Sequence, residues 1–313
     1  MDIQLLQHGQ IDKIKWDKIV AGSPREMPYF YSWYLDALHP GWKALVTEDY
    51  QWVFPLPVNK SLGFWKQMIQ PLFIQQLGLI GFKKPDSATI NSFMEKIPPG
   101  LAQLQVSFME ELHIDQQSKF AKFQTKGINQ LLPLRRQDQE LFEGFSKSVR
   151  RNIRKNEEKF SELIPLSDPQ QVVQLYKKEI NHMAALKDQD YDRLRLALSE
   201  GLKKKRVLLF ELRTQDGEPA ARAAYLLGKN RIINLVSTSD KKFKKWSPQT
   251  IMIHKVIKKY CMDYDFFDFE GSSIPGINSF FASFGSKEIY YPKIHWKHPL
   301  LKLIHKAKVH LRT

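Results

Sequence analysis

Apolar and polar positions change their period several times along the 313 residues. Residues 42–47 and 51–58 have strand-like patterns around a short turn, and 66–74 continue as an extended stretch. Gly78 to Gly81 leads through Pro85 and Asp86 into a predicted helix over 87–96, which Pro98, Pro99 and Gly100 end. Residues 101–110 are β-like, and 129–134 close this first series. A second series opens with a predicted helix over 137–160, followed by helices over 169–183 and 190–204. Strands are predicted over 206–213, 219–227 and 231–238, with Asp216-Gly217 as a hairpin turn signal. A loop over 239–246 precedes a helix over 248–260. A short buried strand over 266–269, a short helix over 277–284 and a strand over 287–293 complete the pattern. Each series has strands, a central helix and further strands, which suggests a duplicated α/β (α+β) chain. The expected divisions are 1–134, 135–298 and a basic tail, 299–313.

Composition narrows the classes. Hydrophobic residues make up 42% and charged residues 26%, enough to bury sizeable cores and to exclude a disordered chain. No apolar run approaches the roughly 20 residues a membrane-spanning helix needs. Residues 1–16 contain Asp2, Gln4, His8 and Asp12 and no apolar core, so a secretory signal is not expected. Cys261 is the single cysteine, which excludes an intramolecular disulfide and fits a reducing, cytoplasmic location. The formal net charge of +15 points to a polyanionic partner: a phosphorylated cofactor, RNA or an anionic membrane surface.

Three segments carry candidate chemistry. Between strand 231–238 and helix 248–260, Ser247 is a natural N-cap and Pro248 sits at the first helical position. A helix start favours an anion, and Lys241, Lys242, Lys244 and Lys245 precede it. They make either a phosphate cradle or a solvated basic loop. In the alternating run from Asp265 to Ser272, Phe267 and Phe269 share one face, and Phe266, Asp268 and Glu270 the other. A carboxylate there is costly to bury unless paired. Asp268 or Glu270 is therefore either a general base for an amine or hydroxyl, or a hydrogen-bond acceptor at the turn before Gly271. In the third segment, Lys147, Arg151, Arg154 and Lys155 fall largely on one helical face. That stripe is either a grip for phosphates of tRNA or of a nucleotide-linked acceptor, or a solvated face balanced by Glu157 and Glu158.

The succession strand 232–238, loop 239–246, helix 248–260, strand 266–269 resembles the core of the GNAT acyltransferase fold. Phe267-Asp268-Phe269-Glu270-Gly271, then Phe280 or Phe281, then Phe284-Gly285 and Tyr290-Tyr291, is similar to the C-terminal domain of Fem-type peptidyltransferases. Ala282 stands where those relatives usually have Lys. The basic run from Ser146 to Lys155 resembles the helix that opens their second domain. The resemblance implies tandem GNAT-like domains, each a mixed, mostly antiparallel sheet flanked by helices, with a cleft between them. It implies transfer of an acyl or aminoacyl group to an amine, from acyl-CoA or from aminoacyl-tRNA. The backbone of Leu235, Val236, Ser237 and Thr238 would orient the donor, with Lys241, Lys242, Lys244, Lys245 and Ser247 at its phosphates. A carboxylate or water would deprotonate the amine, and Tyr290 or Tyr291 would protonate the leaving group. The loop over 241–247 contains no glycine, unlike the usual phosphate loop of the fold.

Other features have plainer readings. Gln75-Gln76-Leu77-Gly78-Leu79-Ile80-Gly81 approaches the same phosphate pattern but fails at Ile80, so a plain turn is expected. His295, His298 and His305 lack a carboxylate partner at metal-ligand spacing, and no metal is expected. The tail places Leu300, Leu303, Ile304 and Ala307 on one helical face, suited to packing or to peripheral contact with an anionic membrane. Cys261 reads as core. The competing reading of the whole chain is a catalytically silent GNAT-like module that binds RNA or another polyanion.

Overall fold

The computed structural model describes residues 1–61, 65–109, 123–180, 186–272 and 274–298. The expectations for the tail, His305 included, lie outside the described residues. The chain divides into two compact units, Met1–Gly127 with Tyr290–Thr313, and Ile128–Ile289. This differs from the division at 134/135, which kept the last strand wholly with the second half. That strand is longer than its pattern suggested, and its far half pairs with the first unit, Lys293 opposite Ser107 through Lys297 opposite Gln103.

The first unit contains β1 (Ile3–Leu6), α1 (Lys13–Gly22), α2 (Ser32–Leu38), β2 (Lys43–Thr47), β3 (Trp52–Leu56), β4 (Val58–Ser61), β5 (Trp65–Ile69), β6 (Ile80–Gly81), α3 (Ser87–Glu95) and β7 (Leu101–Ser107). Strands β1, β2, β3 and β6 form an antiparallel sheet in that order. β4 pairs antiparallel with β5, and β5 lies parallel to β7. Helices α1 and α2 were absent from the predicted pattern. Asp12 caps α1 by accepting from the N–H groups of Ile14 and Lys15. Trp16, Ile19 and Val20 bury its inner face, and the Trp16 indole donates to the Phe30 carbonyl at 2.6 Å. The glycine run at 75–81 is no phosphate loop. Residues 76–81 are all buried, and a Cβ on Gly81 would lie 2.3 Å from the Trp52 ring. That glycine admits a close packing contact.

The second unit holds β8 (Gln124–Pro133) from Ile128, α4 (Asp138–Gly144), α5 (Lys147–Asn156), β9 (Ile164–Pro165), α6 (Pro169–Ile180), α7 (Asp188–Lys203), β10 (Val207–Arg213), β11 (Pro219–Leu227), β12 (Arg231–Ser239), α8 (Pro248–Tyr260), β13 (Phe266–Asp268), α9 (Pro275–Ala282) and the start of β14 (Lys287–Lys297). Its strands lie in the order β8-β13-β12-β11-β10-β9. Only the β12–β13 pair is parallel in this series. Both units thus contain a parallel strand pair joined through a helix, β5–α3–β7 and β12–α8–β13. Helix α8 lays Ile251, Met252, Ile253, Val256 and Ile257 into a core shared with Tyr225, Ile232, Phe267 and Phe284. No helix among the described residues is long and apolar enough to cross a membrane.

The single helix expected over 137–160 is two helices. Ser146 caps the second, its hydroxyl accepting from Val149 N–H at 3.3 Å, and its own N–H donates to the Ser283 carbonyl at 2.8 Å. The break lets the Gly144 carbonyl approach Gly285, where an added Cβ would lie only 2.9 Å from it. Gly285 has φ +76, so the Phe284-Gly285 pair ends α9 where only glycine fits without strain.

Candidate active site

The parallel pair β12–β13 is joined for only three residues, Arg231 opposite Phe266, Ile232 opposite Phe267 and Ile233 opposite Asp268. β13 then ends, while β12 runs on to Ser239 paired with β11 alone among the described residues. One backbone edge of β12 therefore has no strand partner from Asn234 onward. Tyr225 opposes Asn234 and Ala224 opposes Val236, so Leu235 is an extra residue, a β-bulge. A bulge interrupts the ladder and re-aims backbone groups, and such features concentrate beside active sites. The backbone assigned to the donor, Leu235 to Thr238, thus begins at the bulge.

The closed end of this divergence is latched. The Asp268 side chain is fully buried. Its Oδ2 accepts from Arg231 Nη1 at 3.0 Å and its Oδ1 from the Glu270 N–H at 2.9 Å. Both oxygens are held, so of its two sequence readings the geometry supports the acceptor at the turn. Past it the backbone is strained. Glu270 has φ +61 and Gly271 φ +55, two successive residues in the left-handed region. A Cβ on Gly271 would lie 2.3 Å from the Ile128 carbonyl oxygen. Gly271→Ala is expected to cost about 2–4 kcal/mol through strain and clash, read as a lowered midpoint in urea with an unchanged slope. Beneath the turn, Phe269 stacks on Phe281 at 4.9 Å, and Phe284 meets Phe145 at 5.3 Å. The aromatic members of the 267–285 motif are the floor that carries the turn.

Glu270 lies within the field of Tyr176 on α6. Burial first, then Tyr191, then Glu270 push the Tyr176 phenol up to about 12. The Tyr176 phenol is therefore neutral throughout the physiological range. The sequence reading missed it, although Val172, Tyr176 and Glu179 fall at i, i+4 and i+7 on the inner face of α6. On the opposite face of the sheet, Tyr225 Oη, Asn234 Oδ1 and Ser237 Oγ are buried without a hydrogen-bond partner. The register places the three residues on one side of β11 and β12, with Ser237 opposite Ala223. Unsatisfied buried polar atoms are rare in folded proteins and cost about 1–3 kcal/mol each.

The remaining predicted residues separate by environment. The loop before α8 is a 3-10 turn, Lys241–Trp246, capped by Asp240 and anchored by the buried Phe243, whose ring stacks on Trp246 at 5.9 Å. Lys242 pairs with Glu218, and Lys241 approaches Glu179 at 3.8 Å. Lys245 lies over the Trp246 ring, and Lys244 forms no ion pair among the described residues. Ser247 occupies the cap position in the left-handed region, φ +53, and its side chain makes no capping bond. The expected side-chain cap is absent because this backbone directs the chain into Pro248 from a conformation that glycine usually takes. On α5, Lys147, Arg151, Arg154 and Lys155 are all exposed, opposite the buried Val149, Ile153 and Asn156. Arg154 sits over the Phe142 ring at 5.3 Å, and none of the four forms an ion pair among the described residues. Tyr290 and Tyr291 fall in the first unit. There Lys126 lies over the Tyr290 ring, and Tyr291 is buried against Gly127.

Strand β12, the turn into α8, helix α8 and strand β13 form the succession that resembles the GNAT acyltransferase core. The family model described as "Acetyltransferase (GNAT) domain" matches residues 147–275, which contain β9 to β13 and the divergence. The fold extends beyond that segment. The crystal structure of FemX is similar over 97% of this chain and 100% of its own, at 12% identity and a TM-score of 0.66. The C-terminal domain of a putative lysylphosphatidylglycerol synthetase from Agrobacterium fabrum is similar over 95% and 96%, at 12% identity and a TM-score of 0.56. A conserved protein of unknown function from Bacteroides thetaiotaomicron is similar over 91% and 98%, at 12% identity and a TM-score of 0.58. A search of curated proteins gave no match. The chain thus has a Fem-type, GNAT-like fold, and its residues 147–275 match the model of a GNAT domain.

Proposed function

We propose that the second unit transfers an acyl or aminoacyl group from a phosphate-bearing donor to an amine. The observation that carries this reading is the Leu235 bulge beside the β12–β13 divergence, inside the segment matched as an acetyltransferase domain. The donor carbonyl lies along the freed edge of Leu235, Val236, Ser237 and Thr238, where backbone N–H groups polarise it. Lys244, Lys245 and the start of α8 at Ser247 receive the phosphates, with Lys241 and Lys242 contributing charge. The amine nitrogen attacks the carbonyl carbon. Its proton passes to Glu270, directly or through water, as the new C–N bond forms and the donor's C–O or C–S bond breaks. Tyr176 returns a proton to the leaving oxygen. This role replaces the one expected of Tyr290 or Tyr291, because Tyr176 shares a field with Glu270 within one unit. Asp268 holds the strand end.

A phenol near 12 is matched to an alkoxide leaving group, whereas a thiolate departs without such help. The glycine-free turn before α8 also favours an ester donor such as aminoacyl-tRNA over acyl-CoA, and the exposed cations of α5 supply a phosphate-binding stripe for it. Thermal melts with acetyl-CoA and gel shifts with charged tRNA test the two donors. A tRNA shift without an acetyl-CoA response supports the ester route. Stabilisation by acetyl-CoA that Lys244→Ala and Lys245→Ala remove supports the thioester route. Arg151→Glu with Arg154→Glu is expected to weaken tRNA binding and to flatten its salt dependence by about one unit of slope per cation lost. Unchanged affinity at low salt would exclude the stripe. The silent polyanion-binding module is favoured by the same glycine-free turn and by Ala282. It predicts tRNA binding without any acyl transfer.

A further inference from the structure

Three carboxylates are buried among the described residues of the second unit, Glu179, Glu211 and Asp268. Two have donors on both oxygens. Glu211 accepts from Arg213 Nε at 2.5 Å and from Arg222 Nε at 2.7 Å, and Asp268 is held as described. Glu179 is different. It is 6% exposed, and its Oε2 has no hydrogen-bond partner. Lys178 lies 3.7 Å from Oε1 and Lys241 lies 3.8 Å from Oε2, both beyond hydrogen-bond reach. Both lysine side chains are more than half exposed, and Lys178 already donates to Asp240 Oδ2 at 2.7 Å. A carboxylate kept only for structure would be expected to have the donors that Glu211 and Asp268 have.

Its position gives this oxygen a use. Glu179 ends the face of α6 that packs on β11 and β12, one turn beyond Tyr176. Lys241 and Asp240, with which Glu179 and its neighbour Lys178 interact, follow immediately on Ser239, the last residue of β12. Glu179 therefore stands at the open end of the β12–β13 divergence, one helical turn from Tyr176, whose phenol feels the Glu270 charge.

We propose that Glu179 is the acceptor-binding carboxylate, taking the ammonium group of a primary amine through Oε2, the oxygen that accepts no hydrogen bond. An ionised carboxylate accepts only, and an ammonium supplies several N–H donors with the complementary charge. The inference rests on the acyl-transfer reading for its purpose, but not for its test. Glu179 binds and aligns the ammonium; one proton leaves to solvent to free the amine lone pair, and Glu270 takes the second as the C–N bond forms.

The test is a thermal melt of the full chain with n-butylamine, with 1,5-diaminopentane and with n-butanol as neutral control, at constant ionic strength. The amines are expected to raise the midpoint saturably and n-butanol to leave it unchanged. Glu179→Gln is expected to abolish the shift while melting near the wild-type temperature, since the side chain keeps its shape and gives up only two long contacts to exposed lysines. Glu270→Gln is expected to keep the shift. An equal shift in Glu179→Gln, no shift in the wild type, or a melt of unliganded Glu179→Gln as low as that of Arg231→Ala would overturn the assignment. A protein that binds amines through Glu179 yet binds neither donor would instead lose the acyl-transfer reading and keep the ammonium site.

Discussion

Arg231→Ala is expected to lower stability by about 3–5 kcal/mol, because it leaves the fully buried Asp268 carboxylate without its cation. The pair does more than bridge two residues 37 positions apart. It fixes β12 against β13 over the only three residues where they are paired, and so sets where the strands part. Urea unfolding followed by tryptophan fluorescence reads the loss directly. Replacing both partners, Arg231→Leu with Asp268→Leu, is expected to recover much of it, since no charge is then buried alone. Recovered stability with poor donor binding would separate the latch's effect on geometry from its effect on folding. A fall of less than about 1 kcal/mol in Arg231→Ala would mean that water reaches Asp268 and that the latch is not closed.

The largest kinetic effects are expected at Glu270 and Tyr176. Glu270→Gln is expected to lower kcat by about 10²–10⁴-fold with little change in amine KM, the pattern of a lost proton acceptor. Tyr176→Phe is expected to lower kcat by a similar order with an ester donor and much less with a thioester, because only the alkoxide needs the proton. Neither substitution alters the ring or backbone packing, so melts should stay within a degree or two of the wild type. Equal losses with both donors would remove Tyr176 from leaving-group protonation.

Local chain constraints were the legible part of this sequence. Gly271 and Gly285 stand in the motif that carries the resemblance, and both sit at positive φ against carbonyls that a Cβ would strike. Pro248 marked the start of α8, and the hairpin at Asp216-Gly217 marked the turn between β10 and β11. The alternation at 265–272 located β13, but not which carboxylate it would engage. That depended on Arg231, reached only through the parallel pairing of β12 and β13. Ser247 was read as a side-chain cap because of its residue type, whereas the backbone conformation it adopts removes that role. The expected helix over 137–160 hid a break whose cause, the approach of Gly144 to Gly285, is non-local. Helix α1 was missed because its three buried residues stand among lysines and give little periodic contrast. The i, i+4, i+7 spacing of Val172, Tyr176 and Glu179 was visible, and a glutamate on an apolar helix face is itself a signal.

A donor lying along β12 where it leaves β13 is expected to protect the backbone there. Hydrogen exchange of the full-length protein with and without acetyl-CoA, and with and without aminoacyl-tRNA, tests it most directly. One of the two donors is expected to slow exchange at Leu235 to Thr238 and across the turn into α8, with β2 and β3 of the first unit unchanged. If neither donor, at concentrations that saturate binding elsewhere on the chain, slows exchange at Leu235 to Thr238, the divergence is not the donor site and the account is wrong.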